Sequence, residues 1–312
     1  MVRNSLLEPS VLHEWHVLGA LEDIQVGRPL RTRLFGVPVL AVPTPEGVSV
    51  WRASERGSSS AGVGEGDPLP VLVRYGYVWT SLGSPTHELF ELPECSEPDR
   101  RLGHAGTFAV HVSAPRVIEN FLDMAHFPFV HGGYLGVEPH TEVQDYDVAV
   151  SADRREVIAR RCRFFQPMAS LVAKEGFEVE YVYRVPHPYC AVLYKSSALY
   201  PERSDLIALV TRPIDEEHTS ASLFQAMLDD QHSDVEIRHF QQLIFAQDKP
   251  ILENQRPRRL PLDPRQEISV RADRMSAAYR RWLLDSGVRY GTLAPTGDSL
   301  ADRPVAPGES LS

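Results

Sequence analysis

Along the first hundred residues, apolar and polar positions alternate in short runs cut apart by Gly and Pro. His16–Ala20, Arg31–Phe35, Val37–Val42 and Gly47–Trp51 are such runs, and residues 71–82 (VLVRYGYVWTSL) resume the pattern. A period of two with β-branched residues and turn signals at each end predicts strands, so a small all-β unit is expected here. Residues 54–68 interrupt it with a stretch dominated by Ser, Gly and charge, the composition of a flexible loop. Residues 84–100 are rich in Pro and acids and read as a linker to a second unit.

In that second unit the period changes twice. A strand is expected at Thr107–Ser113, and a helix through residues 119–131. Five strand-like runs follow: Glu156–Phe164, Phe177–Val185, Ala191–Leu199, Asp205–Thr211 and Thr219–Met227. Turn signals at Pro186-His187-Pro188 and Ile214-Asp215-Glu216-Glu217 predict an antiparallel meander. A helix should start at Ser233, a natural N-cap, and carry Val235, Phe240, Leu243 and Ile244 on its apolar side. A last amphipathic helix is expected at 269–286, with Val270, Met275, Tyr279, Trp282 and Leu283 inward and Gly287 at its end. The expected organisation is therefore α+β: a flexible N-terminus (1–12), an all-β domain (13–95), a helix-and-sheet domain (96–291) and a disordered tail (292–312).

Composition narrows the function. The chain has 312 residues and a net charge of −10, which argues against nucleic acid or an anionic membrane as its main partner. No apolar run is long enough to span a bilayer, and the N-terminus lacks the features of a secretion signal, so a cytoplasmic protein is expected. The three cysteines, Cys95, Cys162 and Cys190, are scattered and odd in number. They offer neither a disulfide framework nor a Cys-based zinc or iron–sulfur site.

One segment concentrates chemistry. Glu119-Asn120-Phe121-Leu122-Asp123-Met124-Ala125-His126-Phe127-Pro128-Phe129-Val130-His131 sets the Asp123 carboxylate and the imidazoles of His126 and His131 in a largely apolar segment. On a helix Asp123 and His126 share a face, so the carboxylate can accept from one imidazole nitrogen and leave the other free for a metal. His131 lies off that face on a straight helix, but Pro128 should kink or end the helix and let it swing back. A third ligand is needed, and Asp248, beside Pro250 on the later helix, is the candidate. Local sequence also allows Asp248 to be a simple cap for a helical segment restarted at Pro250. Two histidines and one carboxylate with open positions is the ligand set of non-haem Fe(II) oxygenases.

The segment resembles the Asn-x2-Asp-x2-His-x4-His motif of Rieske non-haem iron oxygenases. Asp248-Lys249-Pro250-Ile251-Leu252-Glu253-Asn254-Gln255 resembles their later Asp-x4-Glu-x-Gln segment. The resemblance implies a helix-grip (START-like) catalytic domain in which His126, His131 and Asp248 bind mononuclear Fe(2+), with O2 as co-substrate. It also implies catalytic roles for Asp123, which passes electrons toward His126, and for Asn120 beside it. Trp15, Leu34–Val39 and Tyr75–Trp79 are similar to the frame of the family's Rieske domain, yet no cysteine precedes Cys95. This chain is thus expected to carry no [2Fe-2S] cluster.

Arg238-His239-Phe240-Gln241-Gln242 and the 271–283 region extend the resemblance to a cluster-less branch of that family. Those are the oxygenase components of bacterial caffeine-degrading systems that remove the N7 methyl of 7-methylxanthine as formaldehyde. The implied partners are a Rieske-containing, NAD(P)H-dependent reductase supplying electrons in trans, a small-molecule substrate, and further subunits in a trimer-based oligomer. An iron oxygenase for another aromatic or heterocyclic substrate, or a non-catalytic assembly or ligand-binding subunit, are the alternatives. Phe127, Phe129 and Leu135 are expected pocket walls. Gln247 and Asn254 lie near enough to contact substrate, although most such residues on a helix face solvent.

Overall fold

The computed structural model describes residues 7–24, 28–53, 66–173 and 175–295. Most of the expected flexible loop, the first six residues and the tail from 296 lie outside the described residues.

The N-terminal unit is all-β, as its period of two requires. A helical turn, α1 (Pro9–Leu12), precedes strands β1 (His16–Ala20), β2 (Leu30–Leu34), β3 (Val37–Thr44), β4 (Gly47–Arg52), β5 (Pro68–Leu69), β6 (Val71–Arg74) and β7 (Tyr77–Thr80). They form two antiparallel sheets, ordered β1-β7-β6 and β2-β3-β4-β5. The 71–82 run, which reads as one strand, is instead a hairpin. Tyr75 and Gly76 both take positive φ, 58° and 77°, the requirement of a tight turn whose twist matches its strands. Residues 9–12 and 292–293, within segments expected to be flexible, form regular structure. Val11 in α1 is buried, and Thr292–Leu293 pairs with Leu260–Pro261.

The second unit is built on a seven-stranded antiparallel sheet. Its strands are β8 (Arg101–Val110), β9 (Asp147–Val150), β10 (Val157–Gln166), β11 (Phe177–His187), β12 (Cys190–Ser196), β13 (Ser204–Pro213) and β14 (Thr219–Met227), ordered β8-β14-β13-β12-β11-β10-β9. Helices α2 (Ala114–Leu122), α3 (Phe127–Val130), α4 (Asp234–Asn254) and α5 (Arg274–Asp285) complete it. Ser233 caps α4 as expected, through a reciprocal capping box with Glu236, which satisfies donors that a bare helix start would orphan.

Several helix details differ from expectation. Helix α2 ends at Leu122, with Asp123 already extended (φ −83°, ψ 124°), so the break precedes Pro128, which lies in the first turn of the short α3. Helix α4 runs unbroken past Pro250. Asp248 is therefore no cap of a restarted helix. Val235 and Val270, expected inward, are 75% and 60% exposed. Val235 is in the first turn of α4, and Val270 precedes α5 altogether, since that helix starts only at Arg274.

Both faces of the central sheet are covered. On β13, Leu206, Ala208 and Val210 pack in one apolar cluster with Val17, Tyr77 and Trp79 of the N-terminal unit. The alternate residues Ile207 and Leu209 point into the other cluster, beneath the helices. A strand buried on both sides loses the polar alternation of a surface strand, and every residue of β14 is buried. Backbone bonds stitch the units together: Phe35 N–H donates to Pro213 O and Gly36 N–H to Ile214 O, each at 2.8 Å. The N-terminal unit is thus one wall of the core that supports the pocket.

Candidate metal centre

Helix α2 and the turn after it bring up the first two ligand candidates. One oxygen of Asp123 accepts from Ala125 N–H at 2.8 Å and fixes the turn; the other lies 3.1 Å from His126 Nδ1. Asp123 and His126 therefore meet across an Asx-type turn rather than along a helix face. His131 follows the single turn of α3, whose backbone is overlaid by Gly136. A Cβ on Gly136 would come within 2.6 Å of Pro128 N, so only glycine lets the 131–136 loop close there. Gln247 of α4 anchors the second imidazole, its Oε1 lying 2.8 Å from His131 Nδ1.

These bonds set the tautomers. A carboxylate and an amide oxygen only accept, so each imidazole donates through Nδ1 and turns its Nε2 inward, where a metal competes with a proton. The two Nε2 atoms are 3.1 Å apart. Asp248 Oδ1 lies 3.3 Å from His126 Nε2 and 3.1 Å from His131 Nε2. That oxygen is buried, with no further hydrogen-bond partner among the described residues. Three lone-pair-bearing atoms thus face one another at the corners of a small triangle. Its edges match three mutually adjacent donors about 2.2 Å from a common centre, the facial arrangement of two histidines and a carboxylate. The donor set fits a divalent metal, which His126, His131 and Asp248 would hold.

The electrostatics agree. Burial alone would lower the His126 pKa, but hydrogen bonds and charge from Asp123 and Asp248 outweigh it and raise it to about 9. Burial likewise pushes Asp248 up, and the two imidazoles overcome that and hold it down at about 2. The site concentrates negative potential in a place that water hardly reaches, and a cation relieves it.

Above the triangle is an apolar slot of about 70 Å³, walled by Phe121, Phe127, Leu135, Tyr181, Tyr183 and Phe245 among others. Phe127 and Leu135 stand where expected. Phe129 does not: it is 72% exposed, because α3 is one turn long and turns that side outward. Asn120 borders both this slot and a polar cleft of about 870 Å³ on the other side of α2, where Asp123 also lies. A buried network holds that end of α2. Arg280 grips Glu119 and Glu267, and Arg116 reaches the same two carboxylates. Asn254 is no part of the slot lining. Gln241 and Lys195 are, and sequence reasoning singled out neither: Gln241 lay unmarked inside a resembling run, and nothing in a strand's alternation marks Lys195 as buried.

The chain from residue 110 to 285 matches the vanillate O-demethylase oxygenase C-terminal domain family. It is 43% identical over 283 residues to a probable methylxanthine N7-demethylase, NdmC, of Pseudomonas sp. (strain TJI-51), covering 90% of this chain and 96% of that protein. The chain belongs to the Rieske non-haem iron oxygenase family. This oxygenase is also 31% identical to the methylxanthine N1-demethylase NdmA of Pseudomonas putida, over 67% of its own length and 58% of NdmA's. Its fold matches that of P. putida CBB5 NdmA with caffeine at a TM-score of 0.68 and 21% identity, over 87% of this chain and 90% of that one. Dicamba monooxygenase bound to dicamba shares the fold at 0.66 and 14% identity, over 88% and 97%. Among the described residues of this oxygenase, His126, His131 and Asp248 form the one cluster of three or more His, Cys, Asp and Glu side chains close enough to share a metal ion. No helix among them is long and apolar enough to cross a membrane.

Proposed function

We propose that this chain is the catalytic subunit of a methylxanthine N-demethylase, acting on an N-methyl group such as that of 7-methylxanthine. The supporting observation is the donor triangle at the floor of an aromatic slot, in a chain 43% identical to a probable methylxanthine N7-demethylase. His126, His131 and Asp248 hold Fe(2+), whose chemistry when bound is the activation of O2 beside the substrate. The net change takes N–CH3, O2, two electrons and two protons to N–CH2OH and water; the hydroxymethyl group then leaves as formaldehyde, giving N–H.

The chain's own residues do the rest. The aromatic walls admit a flat ring and keep bulk water from the reacting methyl group. Asp123 orients His126 and is 29% exposed toward the polar cleft. Asn120 borders both spaces and keeps a polar surface beside the ligands. Because no cysteine precedes Cys95, electrons come from a [2Fe-2S] cluster on a separate NAD(P)H-dependent reductase, which docks at the cleft above Asp123. The two chains work in a larger, trimer-based assembly in the cytoplasm. The division at about residue 95, between a cluster-less Rieske-like domain and the catalytic domain, is part of this reading.

The test is NADH-dependent formaldehyde release from a panel of methylxanthines, with and without a Rieske-bearing reductase. The purified chain should hold about one iron and no acid-labile sulfide. Release only when the reductase is present is the expected result; no release from any methylxanthine removes the assignment.

A further inference from the structure

The wall of the slot above the donor triangle includes one lysine that the chemistry just described does not use. Lys195 stands on β12, in the slot wall with Tyr181 and Ile207, and only 6% of it is exposed. Its Nζ donates to the Ala169 carbonyl and lies 5.7 Å from the centre of the Tyr181 ring. An ammonium has three N–H donors, and among the described residues no carboxylate lies within ion-pair distance of this one. Its cross-strand neighbour is Asp205, one oxygen of which is taken by Leu228 N–H at 2.8 Å. Burial lowers the amine to about 7, with Asp205 opposing. Behind Lys195 is a second cavity of about 20 Å³, room for about one water. A buried ammonium with donors to spare is costly unless something completes its shell.

We propose that Lys195 is the specificity-determining donor of the slot. Its ammonium takes a ring carbonyl oxygen of a planar heterocycle and so fixes which edge of the ring is turned toward His126, His131 and Asp248. The inference rests on the methylxanthine reading and narrows it to ligands that carry such an oxygen. A heterocycle without one leaves the ammonium buried and unpaired, and a site built around a polar partner rejects such analogues far better than an apolar slot can. The Tyr181 ring beside the ammonium favours its charged form in the complex.

The experiment compares binding of 7-methylxanthine and 7-methylpurine to the full chain; the two differ in the ring carbonyls and the N–H groups these entail. Calorimetry should show the parent favouring 7-methylxanthine by about tenfold or more. Lys195→Met should erase that preference. In turnover it should raise KM for 7-methylxanthine about 10- to 100-fold, with kcat within about threefold. Lys195→Gln, which keeps a donor, should fall between. A parent with no preference between the two ligands overturns the assignment without any variant. So does a folded variant pair that keeps the parent's preference and KM, and in that case the demethylase reading stands. A parent that neither binds nor demethylates any methylxanthine overturns both.

Discussion

Two pairs of buried imidazoles in this chain hold almost the same pose. The His126 and His131 rings have centroids 5.0 Å apart and planes inclined at 65°; for His16 and His187 the values are 5.1 Å and 74°. Their surroundings are opposite. The first pair is bounded by Asp123, Asp248 and Gln247. The second is wedged between the N-terminal unit and the sheet, against the rings of Phe35 and Tyr189. There His16 Nε2 donates to Val11 O at 2.6 Å and His187 Nδ1 accepts from Tyr189 N–H, while the remaining nitrogens, His16 Nδ1 and His187 Nε2, have no hydrogen-bond partner among the described residues. Burial lowers His16 to about 4 and His187 well below its usual range, whereas His126 is raised to about 9. Ring geometry alone does not make a metal centre. The carboxylates decide, because they turn a dry site from one that rejects positive charge into one that collects it.

That contrast can be broken most severely at Asp248. Asp248→Ala removes the one carboxylate that faces both Nε2 atoms and leaves Asp123 behind His126; bound iron should fall from about one per chain to near zero, with demethylation lost. Near-full iron content in that variant, measured by metal analysis, would show that Asp248 is no ligand. Asp123→Asn should keep the iron yet lower reductase-driven turnover about 10- to 100-fold, since a neutral amide holds His126 less firmly and carries no charge toward the cleft. Unchanged turnover would take Asp123 out of the electron route.

The second pair gives the next largest effect, on stability. In the folded chain His16 has a pKa of about 4, below its unfolded value of about 6.5. Between those values the unfolded chain binds more protons, so stability is fully present above about pH 6.5 and is lost as pH falls toward 4. The loss from His16 amounts to about 3 kcal/mol. His16→Gln, which can still donate to Val11 O, should flatten that part of the pH–stability curve and leave iron content unchanged. A variant with the parent's acid sensitivity, in denaturant melts at stepped pH, would contradict this account of the pair. The smallest effect is expected at Gln247. Gln247→Leu removes the acceptor that orients His131 and should weaken metal binding about tenfold; equal affinity in a chelator competition would mean that the imidazole is held by packing alone.

The central meander was legible because each strand carries its own signature: alternation, β-branched residues and a turn at either end. Residues 219–227 form a strand with the expected limits, and Ser233 caps α4 as its residue type demands. Local patterns were less able to place breaks. Pro128 was expected to bend a helix that in fact stops at Asp123, because the Asp123 side chain competes for backbone donors in the following turn. Pro250 was expected to disturb a helix that passes it intact, since packing along the sheet compensates for one missing bond. The hairpin at Tyr75-Gly76 was missed for a related reason: Gly76 reads as an ordinary interruption until the partner strand is seen.

By itself the sequence determined the α+β composition, the order of the elements and the residue types from which a two-histidine, one-carboxylate site could be made. It could not decide whether Asp248 was ligand or cap. That choice is set by α4 lying beside α2 across the sheet, more than a hundred residues away along the chain, and no local pattern records so distant a contact. Nor could it show that His16 and His187 meet, that Gln247 holds His131, or that Lys195 is buried beside the slot. Each depends on which face of an element is turned inward and on what meets it there, and both are fixed only when the two units close on the sheet.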